Sequence, residues 1–363
     1  MLYSRFCGGG RILVDRRRMP DPGPEEVLIR VRACAISAPD VVAWRGGSEV
    51  TPGSEAVGEV VELGDEAGRA GFSEGARVAV HRQAPCGECA LCRRGRSNLC
   101  RRRLRPDVGI GSDGGYAEFM TAHVRQLLPL DDSITWDQGA MLLETVGTAI
   151  HALRRGHVWN HPERVENALI LGAGPAGLAA ASILAAVGIT KRAVLEAHPY
   201  RRAKAREMGA AVYPPLERPT DHALIAFAPT GFDLVYDATN DADLRNQGFR
   251  HIGDGGTMLM VGENNTPFSV NLHSELGMRE KAVIGSEYFP AREFNSNESL
   301  VSSGRYQPER LVTHAFPLED ISEAFETYAS GESGAVLIGP TLSRRHIPLA
   351  VNEGNLARPP PIQ

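Results

Sequence analysis

The sequence predicts an α/β protein with two domains, one a doubly wound parallel sheet and the other irregular and rich in β-strand. Three observations predict this. The string ALILGAGPAGLAAASILAAVG from Ala168 is an apolar strand, a glycine turn and a long apolar helix. The runs AVLE, FDLVYDAT and GGTMLMVG follow, separated by helical stretches such as RRAKAREMGA, and that alternation builds a parallel sheet. Ahead of them, VLIRVRA, VGEVVELG and ARVAV are short β runs with Gly/Pro punctuation. At 363 residues the chain is too long for one ordinary core.

The glycines come first, because they define a ligand. Gly172, Gly174 and Gly177 form G-x-G-x-x-G between strand and helix. The first allows a tight turn, the second lets a pyrophosphate approach the backbone, and the third lets helix and strand pack closely. Pro175 and Ala176 open the helix, whose N–H groups face the phosphates. Glu196 ends the next strand, 24 residues after Gly172. A carboxylate there accepts bonds from the adenosine ribose and repels a 2′-phosphate, so NAD(H) is favoured over NADP(H), although Arg201 and Arg202 stand close by. Arg201 is counted with the cofactor residues. A tight turn with no ligand is the plain alternative.

Inserted in the β-rich half is CGECALCRRGRSNLC, with Cys86, Cys89, Cys92 and Cys100 spaced C-x2-C-x2-C-x7-C. Four thiolates this close can wrap one Zn2+ with no open position, which makes a structural site. Two disulfides are the alternative, and nothing places the chain in an oxidising compartment. Cys7 and Cys34 are isolated and read as small buried hydrophobes.

Composition narrows the partners. Lys+Arg 39 against Asp+Glu 44 gives a net charge of −5, against a general nucleic-acid binder. The local exception, Arg93, Arg94, Arg96, Arg101, Arg102, Arg103 and Arg105, is either a nucleic-acid patch or, more simply, charge offset for a thiolate site. The N-terminus has no apolar h-region, and no run of 18 or more apolar residues exists. A cytoplasmic protein that acts on a small molecule, without nucleic acid or membrane, is expected. Asp132 and Ser133 read as turn or cap residues before the helix in GAMLLETVGTAIHAL. PLEDISEAFETYASGESGAVLIGP reads as a helix and strand returning to the first domain.

Together with PGPEEVLIRVRACAIS, PGSEAVGEVVELG and GGYAEF, these strings resemble the medium-chain dehydrogenase/reductase family, in its zinc-containing alcohol, threonine and polyol dehydrogenase branch, over about residues 1–340. The resemblance implies a GroES-like catalytic domain (1–147 and 296–340, with the zinc lobe at 86–100), a Rossmann NAD(H)-binding domain (148–295) and a tail (341–363). It also implies an active site between the domains and a homodimer or homotetramer. In that family a catalytic zinc is held by a Cys in C-G-S/T-D-x-H, a His in G-H-E and often a further Glu or Cys. Here Ser37 stands at the Cys, Pro39 and Val42 at the two proton-relay positions, Asp40 at the Asp, Ser54 at the His, and Glu55 and Glu144 are kept. Hydroxyls are very poor zinc ligands. The expectation is a structural zinc without a catalytic one. A rival is a harder ion on Glu55, Glu144 and Asp40.

Hydride transfer survives loss of the metal, but the Lewis acid does not. The expected reaction is therefore reduction of a conjugated C=C or an activated C=O or C=N, with Ser37, Asp40, Ser54, Glu55 and Glu144 as candidate donors, acids and bases. An alcohol, polyol or amino-alcohol dehydrogenase using those side chains is one alternative. A catalytically inactive nucleotide-binding protein is the other. Ser37 and Ser54 also have a plain reading as fillers of the old metal space. His81, His123 and His151 read as structural, Trp44 as cleft or core, and Thr148 and Arg292 as weak candidates for nicotinamide or substrate contact.

Overall fold

The structure is a computed structural model that describes residues 1–263 and 265–349. Two sheets carry it. One has six parallel strands in the order Ala211–Tyr213, Lys191–Leu195, Asn167–Leu171, Phe232–Asp237, Ile252–Met260, Ala282–Gly285. The central strand is buried at every residue, as a sheet covered on both faces requires. Chain order reverses between Asn167–Leu171 and Phe232–Asp237, and a ligand crevice opens beyond the carboxyl ends at such a switch point. Register places Leu171 beside both Leu195 and Asp237, so the turns after these strands open at one level.

The second sheet is the β-rich domain. Its strands run Arg345–His346, Val312–Pro317, Ala335–Gly339, Glu26–Ala35, Glu55–Leu63, Arg77–Val80, Leu127–Pro129, with Phe119–His123 also on Glu26–Ala35. The helix Ile321–Ser330 and the strand Ala335–Gly339 return to it, through the pairs Leu337↔Ala35 and Ile338↔Cys34. The tail is not wholly irregular. Arg345–His346 pairs with Ala315 and His314, while residues 350–363 lie outside the described residues.

The helix Glu144–Arg155 joins the halves. Every residue from Thr145 to Leu153 is buried, so it cannot turn without opening both cores. Asp132 and Ser133 lie in the turn ahead of it, where Ser133 donates to Asp131, and Thr135 caps the helix Trp136–Met141 by accepting from Gln138 N. Among the described residues no helix is long and apolar enough to cross a membrane.

Candidate functional site

Antiparallel register builds the centre of the site. Ala35 pairs with Glu55, so the residues just beyond each strand end meet. Ser37 Oγ and Ser54 Oγ lie 3.2 Å apart, both buried. Ser37 precedes the helix Ala38–Gly46, whose Asp40 accepts from Ser37 N at 2.9 Å and Ser37 Oγ at 2.8 Å. Gly53 N and Tyr116 OH also donate to Asp40. Four donors therefore occupy a carboxylate that is 1% exposed, and Asp40 anchors the loop from beneath and does not line the cleft. Burial raises its pKa, against the pull of those donors.

Glu55 and Glu144 do line the cleft. Thr145 Oγ1 donates to both oxygens of Glu55, at 3.0 and 3.2 Å. Burial, then the nearby Glu144, pushes Glu55 well above the carboxylate range. Glu144 begins the connecting helix, and Ser54 Oγ donates to its Oε2 at 3.4 Å. Burial pushes Glu144 up to about 7 even though a guanidinium pulls it down.

That guanidinium belongs to Arg82, which the sequence reading did not single out. It lies 3.3 Å (Nη1) from Glu144 Oε2, 2.9 Å (Nη2) from Glu287 Oε1 and 3.6 Å (Nε) from Asp107 Oδ2, over the ring of Tyr288. It is 6% exposed and faces the cleft. His81 places it. The imidazole Nε2 donates to the Phe289 carbonyl at 2.9 Å and its Nδ1 accepts from Gln83 N at 3.2 Å, and burial lowers its pKa to about 4, so it stays neutral.

Ser37, Ser54 and Glu144 stand where the family holds its catalytic zinc, and they do not fit it. The hydroxyls are weak ligands and the remaining carboxylate already pairs with a fixed cation. The harder-ion alternative fares no better. Among the described residues, one group of three or more His, Cys, Asp or Glu converges closely enough to hold an ion, and it is Cys86, Cys89, Cys92 and Cys100.

The cysteine quartet does fit. Sulfur separations are 4.0 Å (Cys86–Cys92), 3.9 Å (Cys89–Cys100) and 3.6 Å (Cys86–Cys100). A tetrahedral site with Zn–S bonds of 2.3 Å has edges of about 3.8 Å, whereas a disulfide needs about 2.05 Å. The Cys89 N–H, 3.4 Å from the Cys86 sulfur, helps lower that thiol to about 6. The lobe also reaches the cleft wall. Asn98 Nδ2 donates to the Glu287 carbonyl at 2.7 Å, and the Arg292 guanidinium covers Gly95, which separates Arg292 from any nicotinamide role.

The cofactor turn has the geometry its glycines imply. Gly172 has φ +84°, and a Cβ on Gly177 would lie 1.9 Å from the Gly172 carbonyl oxygen. A Cβ on Gly174 would meet nothing within 4 Å, which leaves the cradle open for a phosphate, and Pro175 and Ala176 line it. These residues fit a dinucleotide. Glu196 differs in detail. Its carboxylate accepts from Ala173 N at 2.6 Å and His198 N at 2.7 Å, clamping the turn. Arg201 differs more. Although it lines the cleft, its guanidinium is docked on the carbonyls of Ser333 and Tyr328, and Arg202 on that of Glu196. The cleft, about 420 Å³, runs unbroken from this turn to Ser37 and Arg82. Thr148 lines it with a buried hydroxyl that has no partner among the described residues. His151 pairs with Glu293 and His123 accepts from Arg125 N, both structural contacts, and Trp44 donates to Gly10 O beside Phe325, in the core.

Comparison with known proteins gives a consistent result. The alcohol dehydrogenase GroES-like domain matches residues 23–132, and the glucose dehydrogenase C-terminus matches residues 139–333. L-threonine 3-dehydrogenase of Legionella pneumophila (strain Corby) is 30% identical over 332 residues, 88% of this chain and 94% of its own length. L-galactonate-5-dehydrogenase of Escherichia coli (strain K12) is 30% identical over 320 residues, covering 86% and 90%. Alcohol dehydrogenase TADH from Thermus sp. ATN1 superposes with a TM-score of 0.84 at 24% identity, covering 93% of this chain and 99% of that one. A zinc-binding dehydrogenase of Sinorhizobium meliloti 1021, described as putative and bound to NADP, has a TM-score of 0.81 at 26% identity, with the same coverage.

Proposed function

Because this chain belongs to the medium-chain dehydrogenase/reductase family, in its zinc-type alcohol and polyol dehydrogenase branch, and is thus an NAD(P)-dependent oxidoreductase, we propose that it is a reductase that works without a catalytic zinc. One observation carries the reading. Glu144, the last of the family's catalytic ligands still present, is bonded to Arg82 and Ser54 beside a second serine.

When bound, the reduced nicotinamide supplies a hydride with its electron pair. The chain's own residues do the rest. Gly172, Gly174, Pro175, Ala176 and Gly177 hold the pyrophosphate end, and the carboxylate of Glu196 disfavours a 2′-phosphate, so NAD(H) is the proposed partner. Ser37 lines the cleft with a hydroxyl held by Asp40, and Ser54, behind it, holds Glu144 in place. Glu144, held near 7, keeps a proton to give at neutral pH. Asp40 is a positioning residue, since its four donors leave it no free oxygen for a substrate. The Cys86, Cys89, Cys92 and Cys100 site takes one structural zinc. The substrate is a small polar molecule with a conjugated C=C or an activated C=O.

A second reading is favoured by the relatives' printed activities, threonine 3- and galactonate-5-dehydrogenation. In it Glu144 acts as the base in oxidation of a hydroxy acid or polyol.

A metal count with activity assays tests the proposal. One zinc per chain and chelator-insensitive NADH oxidation by enones or activated ketones are expected, with NADH bound more tightly than NADPH. Two zincs per chain, with chelator-sensitive oxidation of plain secondary alcohols, would overturn it.

A further inference from the structure

Resting on the zinc-free reading, we propose that the Arg82 guanidinium carries the negative charge that forms on the substrate oxygen during hydride transfer, so that the substrate's reducible bond ends in, or is conjugated to, a carbonyl oxygen.

Arg82 is a fixed, nearly buried cation in a cleft otherwise lined by hydroxyls and carboxylates. Its side chain is held from three sides by Glu144, Glu287 and Asp107 and from a fourth by the Tyr288 ring. Such a cation needs no reorganisation when charge develops, which is where electrostatic catalysis gains most. Its neutralisation is also conditional. Asp107 is shared with Arg103 at 2.7 Å, and the Glu287 side chain is 52% exposed, so water screens it. Glu144 is the one of the three carboxylates that lies in the cleft within reach of Ser54 as well as Arg82, and a protonated Glu144 contributes no charge. The form that can donate a proton is therefore the form that leaves Arg82 one anion fewer when an oxyanion develops.

The step balances. Hydride adds to the carbonyl carbon, or to the β-carbon of an enone, and the π pair moves to oxygen beside Arg82. The Glu144 proton ends on that oxygen, and an enol so formed tautomerises. The nicotinamide leaves oxidised, and Glu144 leaves as a carboxylate in the ion pair seen at 3.3 Å. An iminium substrate would bring its positive charge toward the guanidinium, so C=N reduction is disfavoured.

The test compares Arg82→Met and Arg82→Lys with the wild type. Arg82→Met should lower kcat for enones or activated ketones about 100-fold, the usual scale for an oxyanion donor, with NADH affinity unchanged. Arg82→Lys should recover most of it. The fall in rate at high pH should move upward in Arg82→Met, because Glu144 then holds its proton more tightly. A merely structural role would not move that limb. Oxalate titrated calorimetrically into the NAD-saturated protein reads the same cation without turnover. Binding at least about tenfold weaker in Arg82→Met than in Arg82→Lys is expected. If no substrate is turned over, the reductase reading fails while oxalate still reports on Arg82. Equal oxalate binding in both variants, kcat within threefold in Arg82→Met, or faster reduction of 1-pyrroline than of enones would overturn the proposal.

Discussion

The cysteine lobe and the cleft are both clusters of titratable groups held by short local turns, yet their donor sets are opposite. In the lobe, four sulfurs stand near the corners of a tetrahedron, with backbone N–H groups turned toward them. In the cleft, the Ser54 hydroxyl and a guanidinium hold the Glu144 carboxylate, with the Ser37 hydroxyl against Ser54. The lobe is built to receive a cation, whereas the cleft already contains one that is covalently attached. On the proposed reading the fold keeps one metal site and converts another, because each is specified by a few side chains on a shared scaffold.

The largest expected effect comes from breaking the lobe. Cys100→Ser should abolish zinc retention and lower thermal stability strongly, since metal binding at such a site is folding energy. Metal analysis and calorimetry check it, and the drop should exceed that of any cleft variant. Grafting the lobe's logic onto the cleft sharpens the contrast. Ser37→Cys with Ser54→His should leave the count at one zinc per chain, because Arg82 still occupies Glu144. Adding Arg82→Met should raise it to two. The smallest effect is in pH. Glu144 is raised from the ordinary 4.5 to about 7, so the folded state binds its proton more tightly than the unfolded chain. That stability is complete below about pH 4.5 and is lost as pH rises through 7, a contribution of about 3 kcal/mol at most. Melting temperatures across pH 5 to 8 should fall less steeply in Glu144→Gln than in the wild type.

What the sequence made legible was local. The glycine turn and the cysteine spacing are contiguous strings whose geometry follows from their order. The loss of soft ligands at Ser37 and Ser54 was equally plain once the flanking strings were recognised. Arg82 was hidden because its partners are remote. Glu144 lies 62 residues away and Glu287 lies 205 away, on a helix start and past a strand end that the tertiary fold brings together. The saturation of Asp40 by Tyr116, 76 residues on, was hidden for the same reason. One signal was available for Arg82, a charged residue two positions past the apolar strand ARVAV at the edge of the cysteine lobe. Arg201 shows the same limit. Its place after Glu196 counted it with the cofactor residues, and the carbonyls of Ser333 and Tyr328, more than a hundred residues on, fix where its guanidinium sits in the cleft wall.

The Asn98 amide has a consequence for how the two clusters depend on each other. It ties a three-residue turn between the third and fourth cysteines to the main chain of Glu287, whose carboxylate meets Arg82. Metal starvation would therefore be felt first as a slackened grip on substrate, well before the chain comes apart.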